Sequence, residues 1–180
     1  MKIFKSARSV RRLTYAALCL ALALVLPFLT GQVPEVGNML CPMHIPALLC
    51  GFLCGWPWGL VVGGIAPVLR SLLFSRPPMF SAIGMAFELA AYGAVAGFLY
   101  RKLPGTKRSI YLALIAAMIV GRVVWGAAQM VLMGLQGSAF TMQAFLAGAI
   151  TTAVPGIILQ LVLIPVVVMA LKKAKLIPKD

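Results

Sequence analysis

The sequence predicts an all-α integral membrane protein, a bundle of six transmembrane helices with both termini in the cytoplasm. Three observations predict it. Hydrophobic residues fill 62% of the 180 positions and charged residues only 11%, whereas a water-soluble domain carries roughly a quarter charged residues to cover its surface. Mean hydropathy is +1.03, and the apolar runs are long enough to cross a bilayer, which takes about 20 residues per helix. The bases gather at the N-terminus, near position 105 and at the C-terminus, three places that six crossings put on one side. That pattern excludes a soluble enzyme, and the length suits a single membrane domain over 1–180.

The first helix is expected over 10–30. Lys2, Lys5, Arg8, Arg11 and Arg12 precede it and hold that end in the cytoplasm by the positive-inside rule. A basic start before an apolar run also describes a signal peptide. The run from Leu13 to Leu29 is longer than a usual signal core, so it reads as a retained helix. The turn-rich loop from Thr30 to Asn38 has no Lys or Arg, as an outer loop should.

The second helix is expected over 43–55 and the third over 58–75, with Gly55, Trp56 and Pro57 turning between them. Both are short, which suits a tilted, broken or partly re-entrant path. Ser75, Arg76, Pro77 and Pro78 make a stiff outer loop. The fourth helix is expected over 79–101 and is followed by the bases Arg101, Lys102, Lys107 and Arg108. The fifth covers 109–134. A short polar loop runs from Gln136 to Thr141, and the sixth helix covers 142–171 before Lys172, Lys173, Lys175 and Lys179.

The formal charge of +13 points to anionic lipid rather than nucleic acid, because the bases flank hydrophobic segments. The cysteines Cys19, Cys41, Cys50 and Cys54 have no carboxylate near them, and His44 is the only histidine. They read as packing residues, not as a metal site or a disulfide. No cofactor is implied. Trp56, Trp58 and Tyr100 read as interfacial anchors.

Small residues recur four apart: Gly51, Gly55, Gly59 and Gly63, then Gly93 and Gly97, and on the first helix Ala17 with Ala21 and Cys19 with Ala23. Such rows let backbones approach closely in lipid. Packing within the chain accounts for most of the glycines. The small face of the first helix can instead meet a partner protein.

An ionisable group inside a membrane helix costs at least about 2.5 kcal/mol and therefore faces the protein interior. Arg70, Glu88 and Arg122 are in that position. Glu88 must find a cationic partner, which leaves a second arginine for an anionic or carbonyl group. The alternative is a closed structural ion network. Around them, Asn38 and His44 sit at the outer start of the second helix, and Tyr92 lies one turn after Glu88. Trp125 and Gln129 share a face with Arg122, and Gln160 lies mid-way along the sixth helix. A few placed polar groups with aromatic walls suit a small, partly polar organic ligand.

Catalysis has no support in the sequence. It holds no phosphate-binding Gly-rich loop with Lys and Ser/Thr. It also lacks paired carboxylates, a zinc-protease motif, and a serine with a histidine base. One buried acid does not make an ion relay, so a transporter of this kind needs energy from elsewhere.

The chain resembles the substrate-binding S component of energy-coupling factor (ECF) vitamin transporters. The resemblance rests on the size, the six helices with both ends inside and the Ala17-Leu-Cys-Leu-Ala21 pattern. It rests also on His44-Ile-Pro-Ala-Leu-Leu-Cys-Gly-Phe-Leu-Cys-Gly-Trp-Pro-Trp-Gly, on Gly63-Gly-Ile-Ala-Pro67, and on Pro77-Pro78 with Met85-Ala-Phe-Glu-Leu-Ala-Ala-Tyr-Gly93. It implies a protein of the bacterial cell membrane that captures a vitamin at the outer face, beneath the loop from Gly31 to Cys41. It implies as partners a transmembrane coupling protein and two ATP-binding-cassette ATPases, with Ala17 and Ala21 as the docking face. Cobalt and nickel members of the family carry an N-terminal Met-His; Lys2 stands there in this chain, so metal uptake is rejected. Two buried arginines suit a carboxylate or polar carbonyl ligand, which pantothenate would satisfy, with riboflavin or a pyridoxine-like compound as alternatives. Competing readings are a membrane enzyme or assembly factor acting through Glu88 or His44, and a stand-alone secondary carrier.

Overall fold

The computed structural model describes residues 2–29, 40–135, 137, 141, 153–174 and 176–177. Among these residues there are six helices and no strand. They are α1 Lys2–Leu29, α2 His44–Cys54, α3 Trp56–Phe74, α4 Met79–Lys102, α5 Lys107–Leu135 and α6 Val154–Lys173. The protein is thus the α-helical membrane bundle expected. The loop from Thr30 to 39 and the expected first part of the sixth helix, 142–152, lie outside the described residues.

Five helices are long and apolar enough to span, α1 through its Val10–Leu29 part. The exception is α2. Its 11 residues reach about 16 Å at a rise of about 1.5 Å each, roughly half of a hydrocarbon core about 30 Å thick. The short path expected of either the second or the third helix therefore falls on α2 alone. At the other extreme, α1 begins at Lys2, well before the hydrophobic boundary. Lys, Arg and Ala are good helix formers, so the basic arm continues the same helix.

Large apolar side chains cover the outside. On α5, Leu112, Ile115, Ile119, Val123 and Met130 are exposed, spaced three, four or seven apart as one helix face requires. In water such a stripe would be a liability; in a bilayer it is the solvent-facing side.

Close backbone approach holds the interior together. A Cβ built on Gly59 of α3 would lie 2.5 Å from the Gly93 carbonyl oxygen of α4, and one on Gly97 would lie 2.5 Å from the Trp56 nitrogen. Gly51 of α2 meets the same Gly93 backbone. The glycine rows are thus an internal seam where α2, α3 and α4 converge. At Gly55 the chain reverses between α2 and α3 in a single residue with φ 94°, in the left-handed region that glycine occupies without penalty. Arg101 lies over that turn and donates from Nη2 to the Cys54 carbonyl at 3.0 Å, satisfying one of the carbonyls a helix C-terminus leaves open.

The same contacts sort the ends of the bundle. Cys54 Sγ donates to the Arg12 carbonyl at 3.4 Å, and Lys172 Nζ donates to the Gly105 carbonyl. The start of α1, the α2–α3 turn, the α4–α5 loop and the end of α6 therefore meet at one end, and the three basic segments share it. At the far end Phe28 of α1 meets Phe74 of α3 edge to face, with ring centroids 5.0 Å apart.

Arg70 belongs to that far-end contact. Pro27 inside α1 lacks an N–H and disturbs the carbonyls one turn earlier. The Nη1 of Arg70 donates to the carbonyl of Leu24, and its guanidinium lies 4.8 Å from the Phe28 ring centroid and 5.3 Å from that of Phe74. A carbonyl and two ring faces thus replace the water this buried cation has lost. Arg70→Ala should lower the thermal unfolding midpoint by about 5–10 °C, as follows from a loss of about 2–3 kcal/mol, while ligand binding persists. Loss of binding without loss of stability would show that Arg70 serves the ligand instead.

Candidate functional site

The shortness of α2 creates the site. Its first residue, His44, begins deep in the bundle, because the chain before it has already turned inward. Cys41 makes that turn with φ 47°, and the His44 N–H donates to the Cys41 carbonyl at 3.1 Å. Cys41, Met43 and His44 are all buried. A half-length helix thus sets a histidine where a full-length one would set an aliphatic residue.

Glu88 approaches from α4. Its Oε1 lies 2.9 Å from Arg122 Nη1 of α5 and 3.3 Å from His44 Nε2. Glu88 is 2% exposed and the Arg122 side chain 15%, so the pair lies in low dielectric, where charges attract strongly and lone charges are costly. Neither contact has hydrogen-bond alignment, since Glu88 Oε1 and His44 Nε2 each lack an aligned partner. The ring of Tyr92, one turn on from Glu88, stands edge to face on His44 with centroids 5.1 Å apart. Gly121 admits Tyr92: a Cβ there would lie 3.0 Å from Tyr92 Cδ2. Further along the same α4–α5 seam, Gly84 leaves room for Gln129, whose Nε2 would lie 2.8 Å from an added Cβ.

The structure brings His44, Glu88, Tyr92 and Arg122 together. Gln129 lines the same seam beside Gly84, and Trp125 is half-buried on the same helix. Gln160 of α6 is fully buried, with an Oε1 that has no hydrogen-bond partner among the described residues. Asn38 lies outside the described residues. Arg70 is not in the cluster, and its partners are Leu24, Phe28 and Phe74. Sequence reasoning treated the two buried arginines alike; only one of them meets Glu88.

It also read Cys41 as a packing residue. The Arg122 side chain lies beside it. Burial pushes the Cys41 thiol above its ordinary range, with Arg122 partly offsetting the rise. Its separation of three residues from His44 was the available signal. The other cysteines, Cys19, Cys50 and Cys54, are free and buried together with Ala16 and Val62 between α1 and the α2–α3 hairpin. Among the described residues no group of three His, Cys, Asp or Glu side chains is placed to hold a metal ion.

On α1 the two small-residue rows separate. Ala16, Cys19 and Ala23 are buried, while Ala17 and Ala21 face outward among the exposed Val10, Leu13, Leu18 and Val25. Ala17 and Ala21 make a shallow strip in that apolar face, since each side chain ends at Cβ.

The family described as ECF transporter, substrate-specific component, matches the chain over residues 11–168. No curated protein matches it.

Proposed function

The chain belongs to the ECF transporter family of substrate-specific components, and from this we propose that it captures a vitamin or similar micronutrient at the outer face of a bacterial cell membrane. As a member it is a multi-pass membrane subunit of an importer rather than an enzyme. In the proposed reading the whole of 1–180 acts as one domain, and the basic end of the bundle faces the cytoplasm by the positive-inside rule. The loop before α2 and the His44–Glu88–Arg122 cluster then open to the outside. The reading leans most on that cluster: a polar group of this kind within a membrane bundle is a site by default. His44, Glu88, Tyr92, Arg122, Trp125, Gln129 and Gln160 are its proposed ligand contacts, and Asn38 a further one from the covering loop.

Native mass spectrometry of the purified protein, with binding measured over a vitamin panel, tests this directly. A co-purified or bound vitamin in the nanomolar to micromolar range is expected. A folded protein that holds none of them would sink the reading.

The partners proposed are a transmembrane coupling protein and two ATP-binding-cassette ATPases, which supply the energy this chain has no motif to harvest. Their docking face is the outward Ala17–Ala21 strip of α1, where small residues allow close helix approach. Ala17→Trp or Ala21→Trp is expected to cut complex formation and uptake by more than tenfold while leaving ligand affinity within about twofold, since 1.4 kcal/mol is tenfold. Unchanged pull-down of the coupling protein by both variants would remove α1 as the docking face. Uptake into vesicles lacking any ATPase would favour a self-contained carrier.

A further inference from the structure

We propose that the basic end of the bundle holds one anionic phospholipid, with its phosphate between Arg12 and Arg101 beside the α2–α3 turn. The site lies away from the His44–Glu88–Arg122 cluster and does not depend on what that cluster binds.

Two arginines reach this turn from different helices. Arg101, in the last turn of α4, lies against Gly55, where an added Cβ would strike its guanidinium. Its Nη2 donates to the Cys54 carbonyl at 3.0 Å. Arg12 of α1 comes to the same residue: Cys54 Sγ donates to the Arg12 carbonyl at 3.4 Å, and the charges of Arg12 and Arg101 both act on the Cys54 thiol.

The charges around them are of the same sign. Of the sixteen bases, only Arg70, Arg76 and Arg122 lie outside the three segments that meet at this end, and of the three acids only Asp180 belongs to those segments. The terminal amine and carboxylate of the chain offset each other. Glu88, the one acid among the described residues, stands by Arg122 in the interior. Helix dipoles give no net relief. The C-terminus of α2 offers Arg101 about half a negative charge, and the N-terminus of α3, directly after the turn, returns about half a positive one. Like charges gathered at a partly desolvated surface repel, and a phosphate supplies the missing anion. The planar fork of arginine matches phosphate oxygens two at a time.

The surroundings favour a lipid over free phosphate. Trp56 opens α3 right after the turn and is 47% exposed. Tyr15 and Trp58 are half-buried against the cluster that contains Cys54. Trp and Tyr collect at the level of the headgroups. Leu13, next to Arg12, and Leu60, one turn past Trp56, are exposed apolar side chains, placed to meet acyl chains. A phospholipid uses both the cations and this apolar surface; inorganic phosphate uses the cations alone.

Native mass spectrometry of the protein released from vesicles of equal phosphatidylglycerol and phosphatidylcholine tests the site. Wild-type protein is expected to retain one phosphatidylglycerol with at least tenfold preference, since each basic group near an anionic headgroup is worth roughly fivefold in affinity. Equal retention of the two lipids would overturn the proposal whatever the variants do. The double variant Arg12→Gln/Arg101→Gln, assayed on its folded fraction, should lose that preference by at least tenfold. Lys107→Gln/Arg108→Gln removes the same charge from exposed positions at the same end and should stay within about twofold of wild type. Equal losses in the two double variants would reduce the effect to a diffuse surface potential and overturn the site. Displacement of the lipid by excess inorganic phosphate would overturn the lipid assignment in favour of a free-anion site. Lipid retention unchanged in Arg12→Gln/Arg101→Gln, with loss of a co-purifying protein, would show an acidic protein surface as the occupant instead.

Discussion

Glu88→Leu is expected to destabilise the protein by about 3–5 kcal/mol, the usual cost of removing one partner from a buried ion pair. The loss comes less from the attraction forgone than from Arg122, left charged in a site from which water has been excluded. Glu88 is buried to 2% exposure and has Arg122 at 2.9 Å and His44 at 3.3 Å, so its removal also strips His44 of its polar neighbour. The double variant Glu88→Leu/Arg122→Leu should recover most of that stability, because replacing both members of a buried pair by apolar groups of similar size is often nearly neutral. A double-mutant cycle on unfolding midpoints in detergent measures the coupling. A double-variant loss equal to the sum of the two single-variant losses would show that the pair is not coupled. The double variant should remain folded yet bind no ligand, which separates the pair's structural contribution from its part in the site.

The second large effect concerns the glycine seam. Gly59→Leu should abolish the monodisperse folded protein, at a cost above about 3 kcal/mol, the upper part of the range for overpacking a tight interior. The obstacle is backbone. A Cβ at this position would sit 2.5 Å from the Gly93 carbonyl oxygen and within 2.8 Å of the Gly51 Cα, atoms that cannot rotate away as a side chain can. Gly64→Ala is the matched control on the same helix. Its nearest neighbour would be the Ala90 Cβ at 3.8 Å, an ordinary van der Waals contact, so size-exclusion profile and midpoint should stay close to wild type. If Gly59→Leu behaved like Gly64→Ala, α3 and α4 would not be in backbone contact.

Both predictions depend on which residues meet across helices, and here sequence and structure divide the work. The helices themselves were legible. Five of the six have expected boundaries within about two residues on the ends that hydrophobicity sets, because a bilayer imposes length and polarity on each segment separately. The interior placement of Glu88 and Arg122 was legible for the same reason, since lipid excludes charge whatever the fold. The glycine rows were read as internal seams, and they are.

What the sequence by itself determined, then, is everything that depends on one helix and its solvent: the membrane class, the spans, the charge pattern that groups the loops, and the list of groups that must turn inward. What only the tertiary structure decided is pairing. Arg70 and Arg122 lie 18 and 34 positions from Glu88, and nothing in either helix alone says which one it meets. The choice depends on the relative height and rotation of antiparallel helices. Those are set by backbone contact at Gly59 and Gly93, by Gly121 admitting Tyr92, and by the start of α2 half-way into the bundle. Burial is a property of a residue and its medium, whereas a contact is a property of two segments and the register between them.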